Sequence, residues 1–156
     1  MKPTNITRLL DAHNIPYTVF DLPAEKLGAQ EAARWMGVAP EIVFKTIVVV
    51  REGKGKTILA VIPGPLEVDL KLLAQAVGEK KLHLPTEREA EALTGFQAGG
   101  ISPLALVHSG FQVVIDETSQ LFDEIHISGG QRGVNIRLPV GALIKLVNAQ
   151  IAGFTR

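Results

Sequence analysis

The order of elements along this chain predicts an α/β fold built on a mixed sheet. Three observations carry the prediction. Residues 42–50 and 57–62 are dense in β-branched side chains, the mark of strands that pack on a pleated, buried surface. The turn Arg51-Glu52-Gly53-Lys54-Gly55 between them makes the pair a hairpin. Short amphipathic stretches at helical spacing then interrupt the other strands, which disfavours a regular doubly wound sheet.

Taken in order, Thr4 or Asn5 opens a helix to about His13, with Ile6, Leu9 and Leu10 as its apolar stripe. Asn14-Ile15-Pro16 breaks it, and residues 17–20 read as a short strand. A helix over residues 29–36 stops at Gly37, a residue suited to the left-handed C-terminal position, and its Trp35 and Met36 are expected in the core. After the hairpin, Asp69 caps a helix that Gly78 closes, and residues 80–84 form a short strand. Thr86 and Glu89 have capping-box spacing for a helix over 87–94 closed by Gly95. Strands follow at 112–115, 124–128 and 134–138, and Pro139 starts the last helix with Leu143, Ile144, Leu146 and Val147. No repeat or linker appears, so residues 1–156 read as one domain, large enough for a proper core.

Composition narrows the function. Hydrophobic residues make up 46%, which suits a folded globular chain. Sixteen Lys and Arg balance sixteen Asp and Glu, so a nucleic-acid contact must use a local patch; DNA coating is disfavoured. The absence of cysteine removes disulfides, thiol catalysis and thiolate metal sites. Met1-Lys2-Pro3-Thr4-Asn5 lacks the apolar run of a signal peptide and no stretch is long enough to span a bilayer, so no membrane role and a cytoplasmic location are expected.

The chemistry-bearing features are a lysine and two glycine-rich loops. Lys45 interrupts the most apolar stretch and shares a strand face with Val43, Ile47 and Val49. Such an ammonium must reach water by its stem, pair with an anion or lose its proton. It is either an edge-strand gatekeeper or a functional cation. Gly99-Gly100-Ile101-Ser102-Pro103 lets backbone N–H groups approach a ligand, although the same residues also suit an ordinary turn. Ser128-Gly129-Gly130-Gln131-Arg132-Gly133 joins two strands. Ile125 and Ile127 pack on one face, and Ser128, His126, Asn135 and Arg137 occupy the other, as a solvated surface or a cleft wall. The loop lacks the Gly-Lys-Ser/Thr ending of a nucleotide-hydrolase phosphate loop.

Other chemistries are set aside. His13, His83, His108 and His126 are scattered without metal spacing and are expected at the surface or in loops. His108-Ser109 lies in no Gly-x-Ser-x-Gly elbow. Glu87, Glu89 and Glu91 occupy alternate positions of one helix and are expected on a solvated face.

In combination and order, Val43-Phe44-Lys45-Thr46, Gly99-Gly100-Ile101-Ser102-Pro103 and Ser128-Gly129-Gly130-Gln131-Arg132-Gly133 resemble the YbaK/prolyl-tRNA synthetase-associated editing domain family. The resemblance runs from the first helix to the Leu146 region. It implies a mixed, barrel-like sheet surrounded by helices, and hydrolysis of amino acids wrongly attached to tRNA. It also implies that Lys45 corresponds to the family's functional lysine, that residues 99–103 match its Gly-x-x-x-Pro loop and that Ser128 matches a pocket serine. No covalent intermediate is implied; the substrate's terminal ribose hydroxyl assists the water. The candidate catalytic set is then Lys45, Gly99, Gly100, Ser102 and Pro103. The substrate-binding set is Thr46, Ile101, Ser128, Gly129, Gly130 and Asn135, with no metal or cofactor. The implied partners are a mischarged tRNA, Cys-tRNA(Pro) or another small-residue aminoacyl-tRNA, and an aminoacyl-tRNA synthetase.

Two departures bear on specificity. Asn135 stands where cysteine-editing members tend to carry an aspartate, and the early aromatic of those members has only Tyr17 or Phe20 as counterpart. Competing readings are a non-catalytic tRNA- or ligand-binding regulatory module with the same pocket, and a hydrolase or lyase of free small molecules.

Overall fold

The computed structural model describes residues 3–156; Met1 and Lys2, part of the N-terminal stretch read above, lie outside the described residues. The elements are α1 (Asn5–Ala12), β1 (Thr18–Asp21), α2 (Ala29–Met36), a 3-10 turn (Pro40–Ile42), β2 (Phe44–Arg51), β3 (Ile58–Pro63), α3 (Leu70–Val77), β4 (Leu82–His83) and α4 (Glu87–Thr94). They continue with β5 (Gln112–Asp116), a 3-10 turn (Glu117–Leu121), β6 (Glu124–Ser128), β7 (Val134–Pro139), α5 (Val140–Val147) and β8 (Gln150–Ala152). The α/β class with a mixed sheet is as expected.

The strands are shared between two sheets. One has the order β4-β2-β3-β5-β8 and the other β1-β7-β6. The β2–β3 hairpin is antiparallel, with Lys45 opposite Ile62. β3 pairs with β5 in parallel and β5 with β8 in parallel, each pair separated by the helical crossover that parallel neighbours require. Among the described residues the two sheets are joined by one isolated backbone bridge, Val43 with His126.

β3 organises the packing. Alternation sends Leu59 and Val61 into one apolar cluster and Ile58, Ala60 and Ile62 into another. The first cluster lies between the sheets, with Ile125, Ile127, Ile136 and Leu138 from the smaller one, Ile6 and Leu10 from α1, and Leu143 and Val147 from α5. The second packs the opposite face against Leu73 and Ala74 of α3 and against Phe154. With both faces covered, β3 reads as an unbroken apolar run, as parallel-sheet strands do.

Helix boundaries follow local chemistry. The Asp69 side chain accepts from Lys71 N–H and Leu72 N–H at 3.1 Å. Thr86 and Glu89 form the reciprocal capping box. Gly37, Gly78 and Gly95 close their helices in the left-handed conformation.

Three features depart from the sequence reading. β8 and the two 3-10 turns carry no period long enough to announce themselves. The strand expected over 80–84 shortens to Leu82–His83, because β4 pairs with β2 only at Val50 and Arg51. Trp35 is 62% exposed instead of core. Helix α2 turns Ala32 and Ala33 inward, with Met36 half-buried beside them, and Trp35 projects more than a quarter turn away.

An Asp69→Ala variant is expected to lose about 1 kcal/mol, the usual scale of an N-cap, read as a lower urea midpoint at unchanged slope. An unchanged midpoint would show that the cap bonds are replaced by water at no cost.

Candidate active site

The seam between the sheets leaves a cavity of about 230 Å³. It forms because the edge of β2 is unevenly covered. β4 pairs with Val50 and Arg51 at the far end, while near Lys45 the backbone pairing to the smaller sheet is the Val43–His126 bridge. Val43, Phe44, Lys45 and Thr46 make one wall, and Ser128, Val134 and Asn135 from β6 and β7 make another. Ala98, Gly99 and Ile101 close one side, and the segment with Leu22, Glu25, Leu27, Gly28 and Ala29 closes the other.

The structure therefore brings together Lys45, Thr46, Gly99, Ile101, Ser128 and Asn135 from distant parts of the sequence. Gly100, Ser102, Pro103, Gly129 and Gly130 do not line the cavity; they sit behind it. Ser102 is fully buried, its Oγ accepting from Leu104 N–H at 3.3 Å. Gly100 packs so closely on the second loop that a Cβ would lie 3.0 Å from Gln131 Cα. Its N–H is donated to Gln97 O at 2.8 Å. The N–H groups of Gly99 and Ile101 have no partner among the described residues. Gly99 sits at φ 88°, a conformation that favours glycine.

The two glycine loops are pinned together. Ser128 Oγ donates to Gly99 O at 3.3 Å and accepts from Gly130 N–H at 3.3 Å. Arg132 Nε donates to Ala98 O at 2.7 Å, and Ala98 N–H donates to Glu91 Oε2 at 2.7 Å. Glu87 pairs with Lys26 beside the other cavity wall. The carboxylates expected on a solvated face thus include two that brace the site. Glu87 and Glu91 are four residues apart and share a helix face, whereas Glu89 is committed to the cap.

Lys45 Nζ lies 3.6 Å from Glu67 Oε1, with side chains 26% and 72% exposed. A carboxylate that exposed holds the ammonium weakly, so Lys45 keeps charge available toward the cavity. Among the described residues no other cationic side chain lines it.

His126 overturns the expectation of a surface residue: it is fully buried. Its alternation was read correctly, but the outer face of the small sheet is covered. The Phe20 ring centroid lies 5.1 Å from the imidazole, and the backbone of His126 bridges to Val43. His126 Nδ1 is 3.1 Å from Asn135 Oδ1, and Nε2 is buried with no partner. Burial pushes His126 below the usual imidazole range; the Asn135 hydrogen bond opposes this, Arg137 reinforces it and Glu124 counteracts it. Phe20 is spent on His126, and Tyr17 donates to Asp11 at 2.9 Å. Neither aromatic lines the cavity.

Sequence reasoning missed residues 22–29 as a wall. Their signal is faint, since Leu22, Leu27 and Ala29 look like ordinary packing residues. Among the described residues no group of three or more His, Asp or Glu is placed to hold a metal, and no helix is long and apolar enough to cross a membrane.

Residues 24–146 match the model of the aminoacyl-tRNA editing domain. An Enterococcus faecalis protein, EbsC, whose proposed activity is Cys-tRNA(Pro)/Cys-tRNA(Cys) deacylation, is 36% identical over 97% of this chain and 93% of its own. The crystal structure of a proposed trans-editing enzyme for prolyl-tRNA synthetase superposes with a TM-score of 0.79 at 26% identity, covering 99% of each chain. That of the hypothetical protein APE2540 gives 0.89 at 21% identity, covering 98% of this chain and all of the other, a likeness of fold.

Acid should expose the buried imidazole. A histidine whose folded pKa is depressed adds stability that is fully present above its unfolded value of about 6.5 and is lost as pH falls from there through the lowered folded value. Urea midpoints measured from about pH 7.5 down to about pH 5 should fall more steeply for the wild type than for His126→Leu. Parallel curves would mean that His126 carries its charge inside the fold.

Proposed function

The chain belongs to the aminoacyl-tRNA editing domain family, and from that premise we infer that it is a trans-editing deacylase that hydrolyses the ester of mischarged tRNA. One observation carries the reading: Lys45, the Gly99 and Ile101 positions of the loop, and Ser128 and Asn135 of the strand wall line one small cavity. Its 230 Å³ lies below the roughly 300–1,000 Å³ of sites for drug-sized ligands. A small aminoacyl group fits inside, with the terminal nucleotide held at the mouth.

The chemistry follows from the donors present. Water adds to the ester carbonyl carbon and the carbonyl oxygen takes up negative charge. Collapse then breaks the bond to the terminal ribose oxygen, which leaves with a proton, giving free amino acid and uncharged tRNA. The Gly99 and Ile101 N–H groups supply preorganised donors for the developing oxyanion. Lys45 adds positive charge, toward either the reacting ester or the terminal phosphate. Ser128 Oγ is committed to Gly99 O and Gly130 N–H, so it shapes the pocket and is not poised as a nucleophile. Gly100, Ser102, Pro103, Gly129 and Gly130 set the loop conformations, and Thr46 and Asn135 contact substrate. The substrate we assign is Cys-tRNA(Pro) or another small-residue aminoacyl-tRNA, with a synthetase as transient partner and the cytoplasm as the place of action.

Two measurements test this. On a panel of mischarged tRNAs, cysteinyl, alanyl or seryl groups should be removed and leucyl or phenylalanyl groups spared. One methylene among small groups is worth only about 1–3 kcal/mol, whereas bulk is excluded by sterics. Equal rates for large and small groups would defeat the size sieve, and no turnover on any of them would favour a regulatory binding module.

Replacing Lys45 by alanine should lower deacylation by roughly a hundredfold, the scale of one preorganised electrostatic group, while stability changes little because Glu67 is solvated. Near-wild-type turnover in a folded Lys45→Ala protein would return Lys45 to the gatekeeper role.

A further inference from the structure

We propose that His126, which touches no cavity surface, is a positioning residue that locks the Asn135 amide with its NH2 group turned into the cavity. The wall at Asn135 then offers a hydrogen-bond donor, and the substrate atom it meets is an acceptor, such as the ester carbonyl or a side-chain hydroxyl or thiol, not the ammonium. The identity of that substrate rests on the deacylase reading above; the locked geometry does not.

The geometry permits one consistent arrangement. Asn135 Oδ1 lies 3.1 Å from His126 Nδ1. A carbonyl oxygen only accepts, so Nδ1 must carry the ring proton. The alternative places the amide nitrogen toward the ring and moves the proton to Nε2. That would bury an N–H donor with no partner, since Nε2 is enclosed and unpartnered. Orphaned buried donors are rarer than under-used acceptors, and a proton on both nitrogens would add a buried charge. Neutral Nδ1–H with a bare Nε2 is the arrangement with the least unsatisfied polarity.

Asn135 Nδ2 has no partner among the described residues. It is also absent from the fully enclosed orphan atoms, of which His126 Nε2 is one. Asn135 is 6% exposed and lines the cavity, so its amide nitrogen opens onto that space. The lock is itself held in place. Phe20, directly across β1 from Asn135, leans over the imidazole, and the Val43 bridge fixes β6 against β2. A buried imidazole packed against Phe20 and bonded through Nδ1 fixes which end of the amide faces the substrate.

Three readouts test the proposal. Long-range 15N–1H NMR of the imidazole should show the neutral Nδ1–H tautomer at neutral pH; an Nε2–H tautomer would overturn the proposal whether or not the protein deacylates anything. His126→Leu keeps bulk but frees the amide, so kcat/KM on the most rapidly hydrolysed mischarged tRNA should fall about tenfold, the worth of one oriented hydrogen bond. His126→Asn places an N–H donor where Nδ1 stood and should restore most of that loss. Restoration by Asn but not Leu, with both variants folded by circular dichroism, supports the lock. Equal activity of wild type, Leu and Asn variants, or equal loss in both, would overturn it. If the wild type hydrolyses no mischarged tRNA, the deacylase reading falls and the tautomer still decides the lock.

Discussion

Strand β3 must be covered on both faces, and the rest of the molecule is arranged to do this. Its side chains from Ile58 to Pro63 are all buried, and each fully buried Val, Leu or Ile contributes roughly 1.5–3 kcal/mol. Burying one face calls for α3 and Phe154; burying the other calls for the smaller sheet, α1 and α5. The smaller sheet sits on β3's inner face and bridges to the residue that precedes β2, Val43. The cavity is the space left beside that bridge. Packing the core and opening the site are therefore one geometric event.

That origin explains why the cavity walls are largely apolar and lightly charged. Its walls are continuations of core strands, so every polar group in them is expensive unless paired. Ser128 is satisfied by backbone, Asn135 by His126, and Lys45 reaches a solvated carboxylate along an apolar stem. Among the described residues the Gly99 and Ile101 N–H groups, the Asn135 amide nitrogen and the side-chain oxygens of Glu25 and Thr46 have no hydrogen-bond partner.

The electrostatics of recognition are equally local. Positive and negative side chains balance over the chain, so long-range attraction to a polyanion is weak. Lys26 and Arg132 lie beside the loops but are already engaged with Glu87 and Ala98 O. Discrimination then falls to the small cavity and its hydrogen bonds more than to the nucleic-acid backbone.

Much of this was legible in the sequence. Helices α2, α3 and α4 begin and end where caps and glycines indicated, because those signals act within one turn of chain. The alternation over residues 124–128 and 134–138 assigned Ile125, Ile127, Ile136 and Leu138 to the core. Lys45 stood out as a cation in an apolar run. What local patterns could not decide was what lies opposite a given face. Trp35 looked like core and is exposed because tertiary packing chose the alanine side of α2. His126 looked like surface and is sealed because Phe20 and Val43 arrive from elsewhere. Ser102 and Gly100 looked like site residues and stand behind the wall, because the loop turns its Gly99 and Ile101 positions toward the cavity. Sequence fixes hydrogen bonds and periodicities over a few residues; which surfaces meet depends on contacts between residues far apart in the chain, and only the packed sheets determine them.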